Sequence, residues 1–432
     1  LLLASTIMAG TVLYFDSLKQ LALKHTLSGI SSSDLNILIE TKIGPTTADV
    51  HAEVAGIVED EINSRINWIL RSVLRGGRTP TFYLTSSGNE HNAGQDNART
   101  YFTFLPELNK HVTILSGGGY PSPNALRSSA GVPKLEVLIP EDSAIHLDLE
   151  VGDNLSAVPV WSGDVPFVSV VVSGIFRKNK PLDNEFWDFE ERSLRSVSGS
   201  DFRSLPLFVP RESFINIVGV SLPKMESTYA WFLKVDVGQI DNWNSSMILS
   251  DMYVMNQALA GKLSNYSQIS ELDNALREYD KRIFFSRVSM FVVLILIVIV
   301  VLYYITTLSS LVIESRSSEI SLLRSRGSDK TQTLTAFAVE GATIALIAVI
   351  GAPVLAAISI GGLGFTAPFS GLTGGTSLSV NVTGSAYILS AVGGILSFVA
   401  IMIPAFQASK VQISEQRRRV ARPSTLHVLQ RY

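Results

Sequence analysis

Apolar residues are spread unevenly along the chain. They run together at Leu1–Phe15, thin out through the long stretch 16–287, and crowd again at Val288–Ile313, Leu334–Leu363 and Ala386–Ala405. A bilayer span needs about 20 consecutive apolar residues. The pattern therefore predicts one span, a large domain, and three further spans. Phe291 to Leu302 reads FVVLILIVIVVL without a polar residue, a run that favours insertion by about 4–7 kcal/mol and lacks the polar stripe of a soluble helix. Leu1–Phe15 makes a helix of roughly 22 Å against a hydrocarbon core of roughly 30 Å. We expect the first span to begin upstream of Leu1. No small-residue cleavage site follows the run, as a signal peptide would require.

Between the first and second spans the periodicity changes. Leu35, Ile37 and Ile39 alternate, which predicts a strand over Asp34–Ile43. Val54, Ile57, Val58, Ile62, Ile66 and Ile69 have helical spacing, which predicts a helix over Ala48–Leu74. Thr81–Thr85 and Tyr101–Leu105 read as strands. From Leu135 the text turns β-rich (LEVLIP, LSAVPVW, VPFVSVVVSGIF, LPLFVP, AWFLKVDV), punctuated by Gly, Pro and Asn-Asp. The expectation is an α+β domain over 34–265, with a β-rich subdomain at about 135–240. Ile269, Leu272, Leu276, Tyr279 and Ile283 then step by three and four with no Gly or Pro from Ser267 onward. This predicts one helix from there to Ile313, roughly 70 Å long. Its first part, 266–287, would be a stalk, with 16–33 (Leu18, Leu21 and His25) as the candidate partner strand of that stalk. An amphipathic helix lying on the domain core is the other reading of the same spacing.

Charge fixes the expected orientation. Arg316, Arg324, Arg326 and Lys330 lie between the second and third spans, and Lys410, Arg417, Arg418, Arg419 and Arg422 follow the fourth, whereas 365–385 holds no charged residue. The positive-inside rule puts the 314–333 loop and the 407–432 tail in the cytoplasm, the 364–385 loop outside, and the large domain outside. The expected fold class is a four-span α-helical membrane protein of the plasma membrane, with a large α+β extracytoplasmic domain between spans one and two. A net charge of −3 argues against nucleic acid as a partner. The absence of cysteine removes disulfides and Cys-based zinc sites together, and no two of the six histidines have metal-ligand spacing.

Little in the chain points to catalysis. Leu115–Gly118 spells LSGG, but no Gly-rich loop followed by Lys and Ser/Thr is present to cradle phosphate, so a Gly-rich turn is the reading. Glu340 is the one ionisable residue well inside a span. It is either a structurally paired group about two turns from the boundary or a proton relay. In the fourth span Ser390/Gly394 and Gly393/Ser397 are small-xxx-small pairs, read as an intrachain packing face. The loop ESRSSEISLLRSRG carries the sharpest positive signal. Ile320 and Leu323 share one face with Glu319, Arg324 and Arg326 around them, and Gly327 follows as a helix stop. Such a turn either lies at the headgroups or presents an apolar knob to a partner.

At that loop the chain resembles the FtsX-like/MacB-type permeases, the membrane subunits of type VII ABC transporters. Glu314, Glu319-Ile320, Leu323-Arg324 and Gly327 follow the family pattern after the second span, with Arg316 one place later than the usual arginine. Glu340, Pro404-Ala405, HVTILSGGGYPSP and LEVLIPEDSAIHLDLEVGDNL carry the resemblance further. The resemblance implies a mechanotransmitter without a catalytic or metal site. Glu314, Arg316, Glu319, Ile320, Leu322, Leu323, Arg324 and Gly327 would form a coupling helix seated on a separate ATP-binding cassette ATPase dimer. That partner would hold ATP and Mg, and a lipid, lipoprotein or peptide would be handled outside. Arg417–Tyr432 resembles a linker, so the expectation is either half of a longer permease or a subunit that pairs with a similar one. Two other functions fit the layout: a signalling scaffold that activates cell-wall hydrolases, and an ion-coupled secondary transporter using Glu340.

Overall fold

A computed structural model describes the chain except residues 95–96, 125, 128–132, 162–166, 181–182, 195–203, 223, 316–327, 329 and 411–432. It divides into two compact units, Thr26–Glu278 and, from both ends of the chain, Leu1–His25 with Tyr279–Tyr432.

Among the described residues the Thr26–Glu278 unit contains twelve strands: β1 (Ile37–Ile43), β2 (Leu70–Arg78), β3 (Phe82–Ser86), β4 (Ala98–Phe104), β5 (Val112–Gly117), β6 (Leu126–Arg127), β7 (Pro133–Pro140), β8 (Asn154–Pro159), β9 (Val168–Lys178), β10 (Leu205–Phe208), β11 (Ser227–Val235) and β12 (Ser267–Ile269). Two of its helices matter below, α2 (Ala48–Arg65) and α3 (Ser245–Lys262); α1 (Leu2–Ser28) precedes them. In β2–β11–β1–β12 every neighbour is antiparallel. With α2 between β1 and β2 and α3 between β11 and β12, this is a split β-α-β sandwich. Its helices are tied by Glu61, which accepts from Arg65 Nε and Lys262 Nζ, both at 2.9 Å. Those bonds hold the Glu61 carboxyl below its usual range.

The segment between β2 and β11 forms a second layer. Both β2 and β3 pair antiparallel with β4, and the run breaks at Thr79, whose Oγ1 accepts from Phe102 N at 3.0 Å. Past that break β3 turns to β8, followed by β9, β7 and β10, and β10 returns parallel to β4. The ring β3–β8–β9–β7–β10–β4 is thereby closed, a small barrel that needs no free edge. Its surroundings are aromatic: Phe176, Phe186, Trp187, Phe189 and Phe208 are buried in one cluster with Leu138 and Leu194.

Several sequence expectations differ from this. All five β-rich stretches after Leu135 contain strands, but the barrel draws on 82–208, while β11 completes the sandwich, so 135–240 is not a separate subdomain. The helix expected over Ala48–Leu74 stops at Arg65, because Leu70–Leu74 pairs with β11. The strand expected from Asp34 starts at Ile37, after the short helical turn Ser32–Leu35. Ile269 is not helical: it lies in β12, opposite Leu38 of β1. The long helix α4 (Leu272–Ser315) begins after it, with Leu272 N donating to Ser270 Oγ at 3.1 Å as a cap.

In the other unit α1 and α4 are joined by α5 (Lys330–Leu363) and α6 (Gly384–Lys410). Among the described residues three helical segments are long and apolar enough to cross a membrane: Leu272–Ser315, Leu334–Leu363 and Gly384–Phe406. The apolar run of α1 gives way to Asp16 and Lys19, which pair with each other at 3.1 Å.

Candidate functional site

Helices in lipid gain nothing from hiding large apolar side chains from their solvent, so they pack through small residues that let backbones approach. α5 shows this. Ala348, Ala352, Ala356 and Ile360, spaced by four, are all buried. Across from them on α6, Ser390 and Ser397 are buried too, and Ser390 Oγ donates to Val349 O at 3.0 Å. A Cβ at Gly394 would stand 2.5 Å from Val349 Cγ2, and one at Gly393 would stand 3.0 Å from Met8 Cγ. Both small-xxx-small pairs thus serve packing within the chain. α1 joins the same interior, with Ala9 and Leu13 in one cluster with Ala356, Ile360, Leu378 and Ala386. The Ala-xxx-Ala-xxx-Ala spacing of α5 was a legible signal that the sequence reading passed over.

The expected coupling turn joins α4 to α5. Arg316, Glu319, Ile320, Leu322, Leu323, Arg324 and Gly327 lie outside the described residues. What is described is the ends of the helices that flank them in sequence. Glu314 is exposed at the end of α4, while Ile313, one residue earlier, is buried with Ala405 of α6; Leu334, Phe337 and Met402 pack around them. Three helix ends therefore meet in one apolar knot.

Of the stalk positions, Leu272, Leu276 and Tyr279 are buried and Ile283 is half-buried, whereas Ile269 is exposed in β12. In the last part of α1, from Leu18 on, Leu23 and Leu27 are buried, Leu18 and Leu21 half-buried and His25 exposed. Beyond them α4 is apolar all round: Phe291, Val292, Val293, Ile295 and Leu296 stand exposed and Ile297 and Val298 are half-buried. Glu340 is exposed on α5, and Thr343 Oγ1 donates to its carbonyl at 2.8 Å.

The Thr26–Glu278 unit holds one polar cluster that no spacing foretold. His51 of α2 is buried, with Tyr229 of β11 edge-on at 4.9 Å and Phe104 of β4 at 6.4 Å between ring centroids. Arg211, three residues after β10, donates to its Nδ1 at 3.3 Å. Burial, and then the Arg211 charge, push His51 down to about 4; burial pushes the Tyr229 phenol up to about 12. The cluster ties sandwich to barrel. The LSGG stretch is the end of β5 and a turn: Gly117 has φ +106, and a Cβ there would stand 2.3 Å from Ser173 O.

Residues 291–413 match the family model of the FtsX-like permease C-terminal domain. The matched stretch takes in most of the apolar part of α4, the 314–333 turn, α5 and α6. No curated protein matches the chain. The match supports the FtsX-like family and, with three apolar helices of spanning length, a membrane protein. It suggests the membrane subunit of an ABC transporter, a class that is generally non-catalytic and normally pairs with an ATPase subunit.

Proposed function

We propose that this chain is a permease subunit that works by mechanotransmission. A separate cytoplasmic ATPase dimer binds ATP and Mg, and the permease passes the resulting movement to its large domain on the other face of the plasma membrane. The observation that carries this reading is the extent of the family match, which begins inside α4 at residue 291 and continues through the turn and both following helices. In this account α1 is the first of four spans, as its packing with α5 and α6 supports. The loop charges orient the bundle, with Arg316, Arg324 and Arg326 inside.

The turn at 314–327 would press its apolar knob, Ile320, Leu322 and Leu323, into the ATPase, while Glu314, Arg316, Glu319 and Arg324 fix its register by charge. Gly327 ends it. Closure of the ATPase dimer would then shift the knot at Ile313, Leu334 and Ala405. α4 has no Gly or Pro over 44 residues, about 66 Å of helix, and this continuity supports its role as the transmitting rod, anchored at its far end by Leu272, Leu276 and Tyr279. The cargo class is a lipid, lipoprotein or peptide handled by the outer domain, with a second permease half or similar subunit completing the assembly.

The test is purification from native membrane. An ATPase should copurify in stoichiometric amount, and Leu323→Asp should abolish both its retention and the nucleotide hydrolysis of the complex. Hydrolysis that survives Leu323→Asp, together with transport lost on Glu340→Gln, would instead favour ion-coupled transport.

A further inference from the structure

The 364–383 segment between α5 and α6 is where the helical unit carries chemistry that the proposed function leaves unused. From Gly341 to Ser409 there is no charged residue and no histidine. A water-facing loop of that length without charge is unusual on a soluble surface. The segment is also folded. The short helix Ala367–Thr373 sits in it, capped by Gly374 at φ +65, and Leu378 and Val380 pack into the Ala9–Leu13–Ile360 cluster. Gly364 is pressed so close to the returning strand of chain that a Cβ there would stand 2.4 Å from Thr376 O. Phe369 packs edge-on against Tyr14 of α1 at 6.5 Å, and Ser17 Oγ donates to Ser379 O at 3.0 Å.

Several of its hydroxyls bond to backbone carbonyls close by in the chain. Thr366 Oγ1 donates to Leu363 O at 2.6 Å, Ser370 Oγ to Ala367 O at 3.3 Å, and Thr373 Oγ1 to Gly364 O at 2.9 Å. The backbone does the same: Gly375 N donates to Ser370 O and Leu378 N to Gly361 O. Internal satisfaction of donors is what a water-poor surrounding demands. Other apolar side chains of the segment stand outward. Phe365 is 65% exposed and Leu372 51%, with Pro368 one turn before Leu372 on the same side of the short helix. Val382, just before α6, is exposed as well, as are Leu355 and Ile358 of α5 and Tyr387 and Ile388 of α6.

We infer that residues 364–383 form a lipid-inserting cap, with Phe365, Pro368 and Leu372 seated in the headgroup–acyl boundary of one leaflet. The occupant of this face is lipid: an uncharged segment with outward apolar side chains, joined in sequence to two helices of spanning length that also expose apolar residues, suits acyl chains. The inference rests on the membrane reading of α4 to α6. The cap would fix the depth of the α5–α6 hairpin while α4 moves.

The chain has no cysteine, so single-cysteine variants label cleanly. Full-length Phe365→Cys and Leu372→Cys, with Gly371→Cys as a further variant because a side chain there meets nothing within 4 Å, are labelled with an environment-sensitive fluorophore. They are reconstituted in phosphatidylcholine vesicles carrying a nitroxide lipid. Val292→Cys on α4 and Ser246→Cys on α3 serve as lipid and water references. The expected result is blue-shifted emission at 365 and 372, quenched by the nitroxide lipid and protected from iodide, as at 292. Iodide quenching at 365 and 372 equal to that at 246, with 292 still in lipid, overturns the cap alone. Emission that is blue-shifted but insensitive to both quenchers places protein over the face and also overturns it. Iodide quenching at 292 as well would sink the membrane reading itself.

Discussion

The two units of this protein are built inside out with respect to each other. In Thr26–Glu278 the interior is made of the largest side chains, Trp187, Tyr101, Phe176, Phe208 and Phe232 among them, and the charges stand outside in pairs such as Arg177–Glu141. In the helical unit the buried positions of α5 and α6 are mostly alanines, serines and glycines, and the large residues Leu296, Ile299, Ile347, Ile358 and Ile395 face outward. The first arrangement is what water selects. The second is stable only where the surrounding medium is itself apolar, so that close backbone contact rather than burial holds the helices. The same contrast governs glycine. Gly219 in the first unit and Gly394 in the second are both required by close approach, to a backbone carbonyl in one case and to a valine methyl in the other.

That contrast can be broken at named positions. The largest effect is expected at Gly219→Ala, because its Cβ would stand 1.8 Å from Thr46 O, a backbone atom that has no rotamer to escape into. The loss should reach or pass about 3 kcal/mol, the top of the ordinary range for overpacking, read as lost near-ultraviolet dichroism and a lowered denaturation midpoint. Next is Ser286→Pro in α4, the helix whose residues divide between the two units. A proline in a helix interior costs about 3 kcal/mol. The expected outcome is a complex that still hydrolyses ATP but no longer drives its outer domain, measured as ATPase activity against transport. Gly394→Leu should cost about 1–3 kcal/mol in the thermal unfolding of the helical unit in detergent, and Val349→Ala should recover part of it. A Gly394→Leu variant as stable as the parent would mean that α5 and α6 are not held by close approach.

At neutral pH the smallest effect belongs to His51, whose titration acts only in acid. Its folded-state value of about 4 lies below the ordinary 6.5, so between those values the unfolded chain binds a proton that the folded chain refuses. Stability should therefore be full above pH 6.5 and fall by at most about 1.4 kcal/mol per pH unit as the pH drops towards 4, levelling below that. Comparing denaturation midpoints of the parent and His51→Phe across this range isolates the slope.

How much of this was legible in the sequence follows from how local each feature is. The apolar runs of α4, α5 and α6 and the β-rich runs of β7, β9 and β11 are local patterns, and each holds an element of the expected type. The closed ring was not legible, because it depends on β10 pairing in parallel with β4, Leu205 opposite Thr100, a contact that periodicity does not encode. Ile269 continued the three-and-four spacing of Leu272 and Leu276 yet became a strand, since the free edge of β1 competed for its backbone. His51 gave no signal either; its neighbours Arg211 and Tyr229 come from β-layer segments far along the chain. Between α4 and α5, sequence supplied Leu323 and Arg324, which lie outside the described residues, and the structure supplied the Ile313–Ala405 contact at the helix ends.

The account depends on the turn and the large domain facing opposite sides of one membrane. The direct measurement is membrane-impermeant maleimide labelling of intact cells carrying Arg324→Cys or Ser246→Cys in a chain otherwise free of cysteine. The expected result is labelling of position 246 at once and of position 324 only after the membrane is permeabilised. Equal labelling of both positions in intact cells would contradict the account.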